Sequence, residues 1–339
     1  MARKGEGRIR AGGLFLVLGA LLFGAAHAAA GTRVFTDALG RAVTIAYPPE
    51  RIVSLAPAIT ETLFALGLKD EIAGVTRFSN FPPAAVEKPR VGSYVNLNIE
   101  AIVSLKPDLI LATAAGNPQI QARKLQDMGF PVYVVYPKDT DGVLATIRRI
   151  AEIVGRSERG GAIVRDMRER IERISHRVRG LNRPRVFFQI GRDPIFTVSR
   201  GSFADNLISL AGGDNIAKDA RIPYPSYNLE EVILKAPEVI IVSSMYVDTD
   251  HSGWLEEWKR WDVLPAVKDN RLYTIDSDLV DRPSVRIVVG LEKMARMIHP
   301  EAFPPEPSDQ NKTSRQYPGF TATGEPPLRP DEGKILGRE

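Results

Sequence analysis

Two stretches of this chain lie over one another without a gap: NIEAIVSLKPDLILA at residues 98–112 and NLEEVILKAPEVIIV at residues 228–242. Asn98, Glu100, Pro107 and Ile110 fall on Asn228, Glu230, Pro237 and Ile240, and most other pairs are conservative. Each copy reads as a helix opened by an Asn cap, stopped by a proline and followed by a short apolar strand. A second match keeps the same order. ETLFALGLKDEIA at residues 61–73 lies over DNLISLAGGDNIA at residues 205–217, with Leu63, Leu66, Asp70, Ile72 and Ala73 on Leu207, Leu210, Asp214, Ile216 and Ala217. A chain that writes the same helix-and-strand units twice in order is restricted to two related halves.

From Arg51 onward the halves fill in. RIVSLAP, EIAGVT, DLILAT and PVYVVY read as short strands, separated by the helical stretches AITETLFALGL, NIEAIVSLK and PQIQARKLQDMG. Short apolar strands alternating with helices imply βα units and mostly parallel sheets. Between the halves, after a break near Gly155, lies SERGGAIVRDMRERIERISHRVRG. Ile163, Met167, Ile171, Ile174 and Val178 recur there at spacings of three and four, which predicts one amphipathic helix. Some 22 residues at ~1.5 Å each give a rod of roughly 33 Å, the width of a domain. The expected fold is therefore α/β: two lobes with mostly parallel sheets flanked by helices, joined by a single long α-helix. The boundaries expected are a lead-in at 29–50, a first lobe at 51–139, a helical connection at 140–180 and a second lobe at 181–299.

The ends differ from this middle. Arg3, Lys4, Arg8 and Arg10 precede an apolar run from Leu14 to Ala26 and then small residues. That is the pattern of a secretory signal peptide over residues 1–28, cleaved near Ala28, and the run is short of the ~20 residues a bilayer span needs. It takes four of the 45 Lys and Arg and one of the 41 acidic residues, so the remainder is near neutral. No basic excess points to nucleic acid. There is no cysteine, which excludes disulfides, thiolate metal sites, a cysteine nucleophile and a cysteine-linked lipid anchor. An exported chain of this kind is expected in a periplasm, as a monomer when free. Residues 300–339 are Pro-rich and polar and read as a disordered tail.

Residues 48–298 resemble the periplasmic substrate-binding proteins of ABC importers for metal chelates, and most of all the branch that carries cobalamin. The resemblance rests on RIVSLAPAITETLFALGL, VGSYVNLNIEAIVSLKPDLILA, RVFFQIGRDPIFTVSRGSFADNLISLAGGDNIAKDARIPYP and DSDLVDRPSVRIV taken together. It implies a binding protein rather than an enzyme, holding a corrinoid between its lobes without a resident cofactor and delivering it to the transmembrane subunits of an importer.

Within that resemblance the residues implied at the ligand are Pro57, Ala58, Phe78, Tyr94, Tyr224, Asp278 and Arg282. Flat side chains suit the faces of a broad, partly apolar ring, while Asp278 and Arg282 suit its polar rim. The cobalamin branch carries tryptophan where Tyr94 and Tyr224 stand. Haem-binding members carry an iron-ligating tyrosine about one position earlier, at Ser93, so Tyr94 is the metal ligand expected if the cargo is haem. Glu100 and Glu230 each sit two positions after a capping Asn, where a carboxylate also suits the positive helix end by about 0.3–1 kcal/mol. The capping-box position is one residue further on, so capping does not account for the repeated glutamate. The resemblance implies that these two meet arginines on the permease.

Other features read as packing. His27, His176, His251 and His299 are scattered, and Trp254, Trp258 and Trp261 fall at helical spacing as a stripe on the second lobe. A ferric siderophore would need several cleft arginines, of which Arg282 is the strong candidate, and a chelatase would need a metal-directed His or carboxylate cluster.

Overall fold

The computed structural model describes residues 31–243, 252–303 and 320. The expected signal peptide and most of the Pro-rich tail lie outside them. Regular structure starts in the lead-in, earlier than the sequence pattern suggests. β1 (Gly31–Thr36) and β2 (Ala42–Tyr47) form an antiparallel ribbon on which Phe35, Val43 and Ile45 are buried. The ribbon is tied to the first lobe by the Tyr133 hydroxyl, which donates to the Thr36 carbonyl at 2.9 Å.

In the first lobe, β3 (Ile52–Ser54), β4 (Ile72–Val75), β5 (Leu109–Thr113) and β6 (Val132–Val135) form a parallel sheet in the order β4-β3-β5-β6. Three helices connect them: α1 (Pro57–Ala65), α2 (Ile99–Ser104) and α3 (Gln119–Asp127). Every residue of β5 and β6 is buried, so these strands are uninterrupted apolar runs, as a sheet covered on both faces requires.

The chain then crosses through α4 (Thr140–Ile153) and α5 (Ser157–Val178). α5 has the 22 residues that its apolar stripe predicts, with Ile163, Met167, Ile174 and Val178 buried. A Cβ on Gly160 would stand 2.3 Å from the Ala151 Cβ, so α4 and α5 cross where only glycine fits.

The second lobe carries β7 (Arg185–Gly191), β8 (Ile195–Thr197), α6 (Phe203–Leu210), β9 (Asp214–Asn215), β10 (Ser226–Tyr227), α7 (Leu229–Lys235) and β11 (Val239–Val242). It continues with α8 (Ser252–Trp258), α9 (Pro265–Lys268), β12 (Leu272–Thr274), α10 (Ser277–Val280) and α11 (Ile287–Ile298). The sheet runs β10-β8-β7-β11-β12 with β9 also on β7; β9, β11 and β12 are parallel to their neighbours, while β8 and β10 are antiparallel. α11 packs against α5 and α6.

The repeated unit is the same structure twice, down to the backbone. Lys106 and Ala236 occupy matching positions before a proline, and both adopt left-handed conformations with φ of 47° and 43°. Arg51 Nε donates to the Leu105 carbonyl at 3.0 Å, and Arg185 Nε donates to the Ala236 carbonyl at 2.9 Å. The carboxylates that follow the two prolines accept from the amides of those same arginines: Asp108 from Arg51 and Glu238 from Arg185, each at 2.9 Å. Helix end, proline and strand start are thus fastened to the neighbouring strand by one arginine–acid pair in each lobe.

Candidate functional site

At the C-terminal ends of the first-lobe strands one side chain organises three loops. Asn117 is buried; its Nδ2 donates to the carbonyls of Leu55 (2.8 Å) and Tyr94 (2.9 Å), and its Oδ1 accepts from the Thr113 amide at 2.8 Å. The start of α1, with Pro57 and Ala58 half-buried, and the loop that carries Tyr94 are therefore held by the same amide group. The Tyr94 ring lies against Gly116, where a Cβ would come within 1.9 Å of ring carbon Cε1. Beneath the neighbouring loop, a buried run of hydroxyls links Ser54 to Thr60 (2.8 Å), Thr60 to Ser79 (2.9 Å) and Ser79 to Thr76 (3.2 Å). These bonds fix the segment that presents Phe78, which is 39% exposed.

From the second lobe comes Tyr224, 54% exposed, between Pro223 and Pro225. The Pro225 carbonyl accepts from the Thr197 amide at the end of β8 (3.0 Å), and the Pro223 carbonyl from the Ser199 amide just after it (2.8 Å). Burial raises the phenol pKa of Tyr94 above its ordinary value, and the neighbouring Tyr224 adds to the rise. Tyr224 is raised by burial, then by Asp281 and Tyr136. One aromatic from each lobe, both among the three singled out from the sequence, thus lie within electrostatic reach of each other. Asp281 stands at the same place. Burial pushes its carboxyl up to about 7, with Asp278 and Asp276 adding to the rise and a 3.4 Å hydrogen bond from Ser243 opposing it.

Asp278 and Arg282 are brought together in a contact across the lobes. Arg282 pairs with Asp278 at 2.6 Å and donates to Asn80 Oδ1 at 2.7 Å, to the Phe78 carbonyl at 3.3 Å and to Glu61 at 3.1 Å. Glu61, on α1, has no exposed surface and is the hub of this network. Arg286 grips it with both nitrogens, Nη2 to Oε1 at 2.6 Å and Nε to Oε2 at 3.0 Å, while Ser284 donates to Oε2 at 2.5 Å. The planar fork of arginine matches the two oxygens of a carboxylate, so this is a geometrically specific bond between lobes. Burial raises the Asp278 carboxyl, and Arg282 acts against that rise. Sequence reasoning missed Glu61, Arg286, Asn117 and Asp281. The available signals were a lone charge inside AITETLFALGL and two arginines four residues apart in DRPSVR.

Glu100 and Glu230 are exposed on the first turns of α2 and α7. Capping is done by others. Asn98 accepts from the Ala101 amide at 2.9 Å, and Asn228 with Glu231 forms a reciprocal capping box. Both glutamates point their charge at solvent, without an ion pair among the described residues.

Among the described residues no group of three His, Asp or Glu side chains could hold a metal ion. His299 is buried between Glu301 and the Gly212 carbonyl. Trp254 and Trp258 are core residues of α8, and Trp258 donates to Gln189 at 2.7 Å; Trp261 lies beyond the helix end and is 37% exposed. His27 and His251 lie outside the described residues.

Residues 52–279 match the family model described as periplasmic binding protein. A vitamin B12-binding protein of Vibrio cholerae is 34% identical over 249 residues, spanning 73% of this chain and 88% of that protein. The crystal structure of a periplasmic vitamin B12 binding protein of Vibrio cholerae superimposes with a TM-score of 0.68 at 33% identity, covering 75% of this chain and 98% of that one. A periplasmic heme-binding protein from Roseiflexus sp. RS-1 is similar at 26% identity, with a TM-score of 0.67 over 75% of this chain and 99% of that one.

Proposed function

The chain belongs to the periplasmic binding protein family, and from that premise we propose that it captures a corrinoid, cobalamin or a relative, between its lobes and hands it to an ABC importer. The carrying observation is that Tyr94 and Tyr224, one from each lobe, lie within electrostatic reach of each other, each on a loop fixed by buried hydrogen bonds. Around them Phe78, Val95, Tyr136 and Ile222 expose apolar surface, which suits a broad ring more than a small polar solute. Asp281, with a carboxyl near neutrality, and Asp278 supply polar groups for an amide rim. The relatives with vitamin B12 in their names point the same way.

Haem is the second reading, favoured by the heme-binding relative. It asks Tyr94 to bind iron as a tyrosinate, yet burial and Tyr224 both push that phenol away from ionisation. A ferric siderophore would lean on Arg282, which is already engaged with Glu61, Asp278 and Asn80. The relatives are named as binding proteins, which favours a carrier over a chelatase.

Delivery follows from the frame. The chain is exported to the periplasm and works there as a monomer, and the lobes open little because α5 and the Glu61 network span them. The permease subunits then engage Glu100 and Glu230 and strain the lobes apart.

The test is colour. Purified protein is incubated with cobinamide, cobalamin or haem, desalted, and its visible spectrum recorded. Retention of a corrinoid spectrum is expected, and retention of haem alone would replace the reading. Tyr94→Ala is expected to weaken corrinoid binding about 5- to 30-fold, equivalent to about 1–2 kcal/mol, in a spectral titration.

A further inference from the structure

Beyond Phe303 the structure describes one residue of the C-terminal extension, and it is not on the surface. Phe320 is 6% exposed, with its ring edge-on to Phe81 at 5.1 Å and 68°. It lies beyond residue 279, where the family match ends, and 17 positions after Phe303. The intervening chain reaches up to roughly 60 Å at ~3.3–3.6 Å per residue, so its length does not limit where the ring lands.

The place where it lands is informative. Phe81 belongs to the first-lobe loop that touches the second lobe residue after residue: the Phe78 carbonyl and the Asn80 side chain meet Arg282, and the Phe81 ring lies 4.1 Å beneath the Arg286 guanidinium. Arg286 in turn holds Glu61. Phe320, Phe81, Arg286 and Glu61 thus form one continuous line of contacts through the seam between lobes. After Phe303 the chain is rich in Pro and polar residues, and its aromatic residues are Tyr317 and Phe320 alone. A sequence of this composition offers few rings for packing, so the burial of its one described ring marks a specific attachment.

We propose that the seam carries a docking socket for an aromatic side chain, walled by Phe81, and that the protein's own C-terminal extension fills it with Phe320. Tethering makes a weak contact effective, because the ring is presented at an effective concentration on the order of millimolar. The Phe320 ring braces the loop around residues 78–81, whose Phe81 ring also meets Arg286, and without it that contact is faster to open. The socket is a property of packing, independent of what the cleft carries.

Hydrogen–deuterium exchange on the full chain tests this without any cleft ligand. In Phe320→Ala, amides of residues 76–82 and 278–286 are expected to exchange at least about 5-fold faster, while those of β3, β5 and β11 keep their rates. Phe320→Leu, which keeps apolar volume without the edge-on ring, is expected to fall between. Millimolar synthetic peptide of residues 312–328 is expected to restore protection to Phe320→Ala. Unchanged exchange in Phe320→Ala overturns the socket. So does a uniform rise across all strands, which would make Phe320 an ordinary piece of core, and so does a peptide without effect.

Discussion

Glu61 is the one charged residue of α1, and it is fully buried. A carboxylate in that position is tolerable because two oxygens meet two arginines and a serine hydroxyl. Such a pair need not add stability over an apolar substitute, but breaking it from one side leaves a buried charge without its partner. Glu61→Gln removes the charge from beneath Arg286, whose side chain is only 6% exposed. The expected loss is about 3–5 kcal/mol, seen as a lower urea midpoint. Asp281 makes a different point. Its folded carboxyl titrates at about 7 against an ordinary value of 3.8. A raised acid binds its proton more tightly in the folded state, so its contribution is full below about pH 4 and is lost as pH rises toward 7. Asp281→Asn cannot lose it. The variant should therefore gain stability relative to the parent between pH 4 and pH 7 and stay level above, in denaturant midpoints taken across that range.

The helix-to-strand unit can be tested as an element because it exists twice. Lys106 and Ala236 both sit in the left-handed region, which costs a residue with a side chain about 1–2 kcal/mol. Glycine removes that strain but adds roughly 0.5–1 kcal/mol of chain entropy. Lys106→Gly and Ala236→Gly should each stabilise by up to about 1 kcal/mol, with the same sign in both lobes, by thermal or urea unfolding. These elements were legible in the sequence because their apolar runs are long and bounded by Asn and Pro, and α5 because its stripe repeats over 22 residues. The β1–β2 ribbon was legible in principle, since Phe35, Val43 and Ile45 alternate with exposed positions, but the pattern is short on each side of its turn. β9 and β10 have two residues each and leave no period to read. Of the site, the sequence offered residue types. That Arg282 faces Glu61, 221 positions away, or that Asn117 holds Tyr94, is settled by tertiary contact, which no local pattern encodes.

At the scale of the whole molecule, two halves that each expose a glutamate at the matching position are joined by a helix of 22 residues. Two charges on separate lobes can report and apply a force between those lobes only if neither is consumed inside its own lobe. The caps meet this condition: Asn98 serves the Ala101 amide, and Asn228 with Glu231 closes the other helix, so Glu100 and Glu230 are dispensable to both. Reversing their charge opposes the helix dipole by about 0.3–1 kcal/mol at each site, small beside a fold worth roughly 5–15 kcal/mol. Glu100→Arg with Glu230→Arg should therefore leave a folded protein whose ligand affinity stays within a few-fold, by titration of the purified chain. Uptake in cells that depend on this carrier should be abolished, because complementary charge sets orientation and encounter with the permease. Single reversals should each retain part of the uptake, since one lobe still docks. A large fall in the affinity of the isolated double variant would place the glutamates at the ligand and remove the docking role.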